Sequence, residues 1–324
     1  MKYLIHCDGA FPNLALMRLA RYFGERGEKV RLVRGRGREL WDGPGEVYGS
    51  SIFEFSTAKR AAVERDWGSV RWGGTGVSVT SSLSEIDPEL DWEGVKPDYS
   101  IYPTYTASIG FTQRGCRLSC GFCVVPKKEG KPKPVNTILD IYRGGEHPRR
   151  ILLLDNDFFG QPREIWQERL KEIRDGKFRV AFCQGINIRQ MNEESARALA
   201  ETDYWDNEFE RRRIYTAWDN LKERAAFVQG FKILTAAGIP AKRIMVYMLI
   251  GFAPDETWAH ILDRFNTITE LGAMAYPMVF NNANPQLKAF QRWAVRGLYK
   301  SVPWSLYVDP RLGNGSNKGL RIKP

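Results

Sequence analysis

The chain has 324 residues, 43% of them hydrophobic and 27% charged, with 48 Lys and Arg against 38 Asp and Glu for a formal net charge of +10 at pH 7. That is enough for one large core or a large and a small domain, and no apolar run reaches the length of a membrane span. Five cysteines, an odd number, and an N-terminus without a secretion-signal pattern exclude a disulfide framework and predict a protein of the reducing cytoplasm that does not enter a membrane. The basic groups are scattered over Arg31 to Arg38, Lys127 to Lys133, Arg149-Arg150, Arg211 to Arg213 and Lys318 to Lys323. They favour anionic partners, although no nucleic-acid-binding motif accompanies them and solvated faces are the plainer reading.

In chain order, residues 1–78 alternate strand and helix signals: a strand over Tyr3–His6, a helix over Asn13–Phe23, strands at Lys29–Val33 and Glu46–Ile52, a helix at Ala58–Arg65, and a strand at Ser69–Trp72 running into Gly73-Gly74-Thr75-Gly76. This predicts a small Rossmann-like parallel α/β domain. Residues 79–103, rich in Ser, Asp, Glu and Pro, carry no sustained period and are expected to be a linker. From 104 to 296 a strand-then-helix pattern repeats six times, starting with the strand Ala107–Thr112. Helix signals follow at Thr137–Arg143, Arg163–Arg174, Glu193–Glu201, Lys222–Ala237, Glu256–Leu271 and Gln286–Val295, behind strands at Arg150–Asp155, Phe178–Cys183, Arg213–Trp218, Arg243–Ile250 and Ala275–Phe280. The fold class expected is therefore α/β, a partial (β/α)6 TIM-like barrel behind the small domain, with 297–324 as a C-terminal extension.

Cys116, Cys120 and Cys123 lie in the run GCRLSCGFC, with three residues between the first pair and two between the second. A cubane 4Fe-4S cluster takes four thiolates, so three on one loop leave one iron open. A zinc site wants four ligands, and Cys7, Cys183, His6, His147 and His260 are all distant in sequence. A structural zinc or a plain electron-transfer cluster remains the alternative at this point.

The run Cys116-x-x-x-Cys120-Gly-Phe-Cys123 resembles the signature of the radical S-adenosylmethionine (radical SAM) superfamily, including the aromatic residue before the third cysteine. The resemblance implies a 4Fe-4S cluster on these cysteines and S-adenosylmethionine on the open iron. Electron transfer then splits the sulfonium to give a 5'-deoxyadenosyl radical. It also implies an electron donor such as flavodoxin or ferredoxin, a six-unit partial barrel, and Phe122 supporting the adenine.

Ligands of parallel α/β folds lie at the carboxyl ends of strands. Superfamily members often hold the SAM amino group with Gly-Gly-Glu after the second barrel strand. The literal Gly144-Gly145-Glu146 precedes that strand and reads as a helix-ending turn, so by position the role passes to Asp155, Asn156 and Asp157. After the third strand come Gln184 and Arg189, the latter a candidate for the SAM carboxylate or an acidic substrate group, or a surface arginine near a helix cap. Asp219, after the fourth, suits the ribose hydroxyls or a helix cap, and Gly251, after the fifth, would let the adenine approach backbone. Asn281-Asn282 follow the sixth strand, and Cys183 reads as a small buried residue.

The N-terminal unit and Pro97–Pro103 look like cobalamin-domain radical SAM proteins, but Ala10 stands where that domain's histidine would be. Bound cobalamin is not expected, and a cobalamin-dependent methyltransferase is the alternative within the class. Phe11–Met17, Lys128-Glu129-Gly130 and Ala217–Asn220 further resemble a compact group of radical SAM proteins in bacteria and phages, which implies the cofactors and leaves the substrate open. The expected substrate is anionic: a nucleotide, a nucleic acid or a phosphorylated metabolite. The rival from another class is a nucleic-acid-binding protein with a structural metal or Fe-S site.

Overall fold

Successive side chains of a strand point to opposite faces, and the first strand, β1 (Lys2–His6), buries both. Leu4 packs with Leu16, Leu19, Ala20 and Phe23 of α1 (Leu14–Glu25), while Tyr3 and Ile5 pack with Val63 and Trp67 of α2 (Thr57–Trp67). Strand β1 lies between β2 (Val30–Arg34) and β3 (Glu46–Ser50), with β4 (Arg71–Gly73) beyond β3, all parallel in the order β2-β1-β3-β4. Helices on both faces explain why β1 is apolar throughout its middle rather than alternating. Asn13 starts α1 by accepting from Leu16 N at 3.1 Å.

This sheet belongs to the first of two compact units, Met1–Phe178 and Arg179–Pro324. The computed structural model describes residues 1–312 apart from 36, 40, 41, 81, 92–95 and 281. Arg36, Asn281 and the basic run Lys318 to Lys323 thus lie outside the described residues. Where a linker is expected, two short 3-10 turns, Leu83–Glu85 and Pro88–Asp91, bring Leu90 under α1. Tyr102 then reaches back to β1, its hydroxyl 3.1 Å from His6 Nδ1.

In the rest of the first unit β5 (Ser108–Gly110) pairs in parallel with β8 (Arg150–Leu153), and α5 (Arg163–Asp175) follows β8. Between the two strands the chain forms a short antiparallel ribbon, β6 (Gln113–Arg114) with β7 (Lys133–Pro134), and the single turns α3 (Val125–Lys128) and α4 (Ile138–Ile141). The helix expected over Thr137–Arg143 is one turn. Thr137 caps it by accepting from Asp140 N at 3.0 Å, and Gly144 and Gly145, both at positive φ, turn the chain before β8.

The second unit repeats strand and helix: β9 (Arg179–Phe182), α6 (Glu193–Ala200), β10 (Ile214–Ala217), α7 (Arg224–Ala236), β11 (Ile244–Ile250), α8 (Trp258–Glu270), β12 (Met274–Val279) and α9 (Pro285–Val295). Strands β10, β11 and β12 are parallel neighbours. Strand β11 alternates, with Ile244, Val246, Met248 and Ile250 at 0% exposure and Met245, Tyr247 and Leu249 only half-buried. Two helices start later than their periodicity predicts. Asn220 caps a 3-10 turn at Leu221–Glu223 ahead of α7, and Thr257 caps α8, which leaves Glu256 outside the helix. The protein is mixed α/β with parallel sheets, and among the described residues no helix is long and apolar enough to cross a membrane.

Candidate metal centre

The cysteine loop leaves the carboxyl end of β5 through the ribbon strand β6. Gly115 adopts φ +82°, and a Cβ there would lie 2.2 Å from Lys131 O, so glycine is required just before the first cysteine. Cys116 N donates to Gly130 O at 3.1 Å, and Cys123 N donates to Cys120 O at 3.0 Å. The three thiols are half-buried. Burial pushes the Cys116 thiol up, against which Leu118 N donates to Cys116 Sγ at 3.4 Å.

Around this loop the buried polar groups form one connected set. Asp155, 3% exposed, accepts from Thr112 N at 2.7 Å and from the Thr112 hydroxyl. Burial lifts its carboxyl to about 7, with the Thr112 donors opposing the shift. Asp157 takes Arg117 in a two-pronged grip, Nε at 2.7 Å and Nη2 at 2.9 Å, and also accepts from Arg117 N at 3.1 Å. A Cβ on Gly160 would lie 2.5 Å from Asp157 Oδ2, so that residue has no room for a side chain. Asn156 Nδ2 donates to Glu129 Oε2 at 2.7 Å, and Glu129 also binds Arg114 at 2.8 Å and Gly115 N at 3.0 Å. Gln113 closes the set, accepting from Asp157 N at 2.9 Å and donating to Gly115 O at 2.7 Å.

Asp155, Asn156 and Asp157 were expected to present oxygens to an amino group. Both carboxylates are instead turned onto the chain, Asp155 on Thr112 between β5 and β6 and Asp157 on the residue after Cys116. They position the loop. Phe122, within it, is half-buried. Sequence reasoning missed Thr112, Gln113, Arg117 and Glu129 as members of this set. The one visible signal is Glu129, a lone acid in a run of lysines.

Of the residues expected at the strand ends of the second unit, Arg189, Asp219 and Gly251 are engaged by the chain itself. Gln184 is exposed after β9, and Arg189 pairs with Glu223. Asp219 accepts from Leu249 N at 2.8 Å, and burial raises its carboxyl. The helix-cap role weighed for Asp219 falls to Asn220, which accepts from Lys222 N at 2.9 Å. Gly251, expected to leave backbone open, donates its N–H to Glu256 at 2.5 Å, and a Cβ there would lie 2.4 Å from Leu287 Cδ1. Behind these, Arg264, 1% exposed, donates to Trp218 O at 2.9 Å and Leu249 O at 3.0 Å and pairs with Glu256. Cys183 is buried, and burial pushes its thiol up to about 12.

Among the described residues no three His, Cys, Asp or Glu side chains converge tightly enough to hold one metal ion. A cubane makes a different demand, because each thiolate binds a different iron and the sulfurs stand further apart. Cys116 still senses the charge of Cys120 and Cys123. The three thiols lie together on one loop. No family model, curated protein or solved structure matches the chain.

Proposed function

We propose that this protein is a radical S-adenosylmethionine enzyme, built as a Rossmann-like domain followed by a partial (β/α)6 barrel. The observation that carries the reading is the loop Cys116–Cys123, three half-buried thiols at the carboxyl end of a parallel strand, braced by buried Asp155 and Asp157. A 4Fe-4S cluster on these thiolates supplies an open iron for the amino and carboxylate groups of S-adenosylmethionine and the electron that releases a 5'-deoxyadenosyl radical.

The chain's own part is positional. Thr112, Gln113, Asp155 and Asp157 fix the entry to the loop, at Thr112, Gly115 and Arg117 on either side of Cys116. Glu129 and Asn156 hold the return strand against Gly115. Phe122 gives the loop an aromatic side chain beside Cys123 for an adenine. Six strand-and-helix pairs in chain order from β5 to α9 support the barrel, and the +10 charge supports an anionic substrate.

The test is anaerobic reconstitution with iron and sulfide, followed by dithionite and S-adenosylmethionine. The protein is expected to turn brown and release 5'-deoxyadenosine, and Cys120→Ala to abolish that release. A fully loaded protein that leaves S-adenosylmethionine intact contradicts the reading.

A further inference from the structure

The sheet of β10, β11 and β12 has two unlike faces. Ile244, Val246, Met248 and Ile250 lie on one side of β11 and are fully buried, with α8 and α9 packed on these strands. The other side carries Tyr215 level with Met245 and Met274, then Tyr247 level with Tyr276, and Met278 beyond them. Tyr215 and Tyr247 stack with centroids 5.6 Å apart, and the Tyr276 ring stands at 86° to Tyr247. None of these six side chains is charged, yet all but Tyr215 reach solvent, Met278 at 44% exposure. At the carboxyl ends of β11 and β12, Phe252 and Phe280 add two exposed rings 4.9 Å apart.

Polar atoms on this face lack partners. The hydroxyls of Tyr247 and Tyr276 have no hydrogen bond among the described residues. Ile186 is bridged to Thr216, so Asn187 stands in one row with Ala217 and Tyr247, and its Nδ2 is buried without an acceptor among the described residues. An amide donor left in this way is costly unless a ligand satisfies it. The acid Glu208 bears on Cys183 and Tyr247 and disfavours a negative charge there.

A charged group laid on this face would lose its water and find no counter-charge. A flat, uncharged ring gains the contacts that aromatic rings and thioethers favour, and polar atoms on its edge answer the Asn187 amide and the two hydroxyls. The chain's +10 charge, carried elsewhere, suits an anionic group on the same molecule. A neutral ring with a polar edge on an anionic molecule describes a nucleotide. We propose that this face of the second unit binds the base of a nucleotide substrate, through the rings and hydroxyls of Tyr247 and Tyr276 and the amide of Asn187. The inference rests on the enzyme reading above for the ligand's being a substrate, whereas the binding itself needs no cluster.

The experiment measures binding of UMP, CMP and GMP to the full chain by isothermal titration calorimetry, with ribose 5-phosphate as the same anion without a base. The variants are Y247F/Y276F, which keeps both rings and removes both hydroxyls, N187A, and M278E, which sets a charge on the face. At least one nucleotide is expected to bind tenfold or more tighter than ribose 5-phosphate. Its binding should weaken about fivefold or more in Y247F/Y276F and in N187A and about tenfold or more in M278E, with ribose 5-phosphate unaffected. Urea midpoints close to the wild-type value show that the variants are folded. Nucleotides that bind no tighter than ribose 5-phosphate, or equally to wild type and all variants, overturn the proposal. So does displacement of the nucleotide by S-adenosylmethionine, which assigns the face to the cofactor's own adenine. Nucleotide binding with the expected losses, in a reconstituted protein that releases no 5'-deoxyadenosine, supports the face and defeats the enzyme reading, so the two failures are told apart.

Discussion

In the first unit buried charge faces a loop: Asp155 and Asp157 accept from Thr112, Arg117 and the backbone on either side of Cys116. In the second unit it faces the strands, where Arg264 ties the ends of β10 and β11 through Trp218 O and Leu249 O, with Glu256 as counter-charge. A strand end already belongs to a ladder of hydrogen bonds, so the second network reinforces what the sheet supports. A loop with three thiols has only the two-residue ribbon at its base and a few bonds of its own, to which the bonds from Asp155 and Asp157 add support from outside it. The first network braces a loop that carries three thiols, and the second ties strand ends together.

The largest expected effect breaks the structural side. Arg264→Met leaves Glu256 buried and two strand-end carbonyls unpaired, at a cost of about 3 kcal/mol. Chemical denaturation should show that loss while iron uptake stays at the wild-type level. A cost below about 1 kcal/mol would remove the network's structural role. Burial lowers the Arg264 pKa, yet its three partners keep the cation in place over the working pH range.

Asp157→Asn should invert that pattern. Arg117 is 32% exposed, so solvent screens the unpaired cation and the stability cost is about 2 kcal/mol or less. Iron retention should fall several-fold, read as iron per protein after gel filtration, with partial rescue by Asp157→Glu. Full retention in Asp157→Asn would mean that the pair is structural as well.

The third prediction concerns pH. The Asp155 carboxyl rises from its ordinary 3.8 to about 7 in the folded protein, so the folded state binds that proton more tightly than the unfolded chain. The stabilisation it gives is full below pH about 4, declines as pH rises, and is gone above pH about 7. Asp155→Asn should flatten this part of the stability profile and leave the protein less pH-sensitive between pH about 4 and 7. A profile identical to the wild type contradicts the burial argument. Smallest is Asn192→Ala, which removes the side chain that accepts from Ser195 N at 2.9 Å at the start of α6 and should cost about 1 kcal/mol with no effect on iron.

Periodicity made the longer elements legible. The expected helix over Asn13–Phe23 is found at Leu14–Glu25, and the expected strand Arg243–Ile250 at Ile244–Ile250. The ribbon β6–β7 was not legible, because two-residue strands carry no period and form only when Gly115 lets Lys131 approach. Similar limits apply to the site. The cysteine spacing is visible along the chain, whereas the bond from Asp157 to Arg117 joins positions 40 residues apart that no local pattern connects. Asp155, Asn156 and Asp157 were visible as polar residues at a strand end, but whether they face a ligand or their own loop depends on Thr112 and Glu129, which only the fold brings to them.

The most direct test of the central claim is to quantify 5'-deoxyadenosine from reconstituted protein given dithionite and S-adenosylmethionine, beside Cys116→Ala, Cys120→Ala and Cys123→Ala. Release by the wild type and none by each variant is the result predicted. A wild type that carries its full complement of iron and sulfide and still releases no 5'-deoxyadenosine would contradict it.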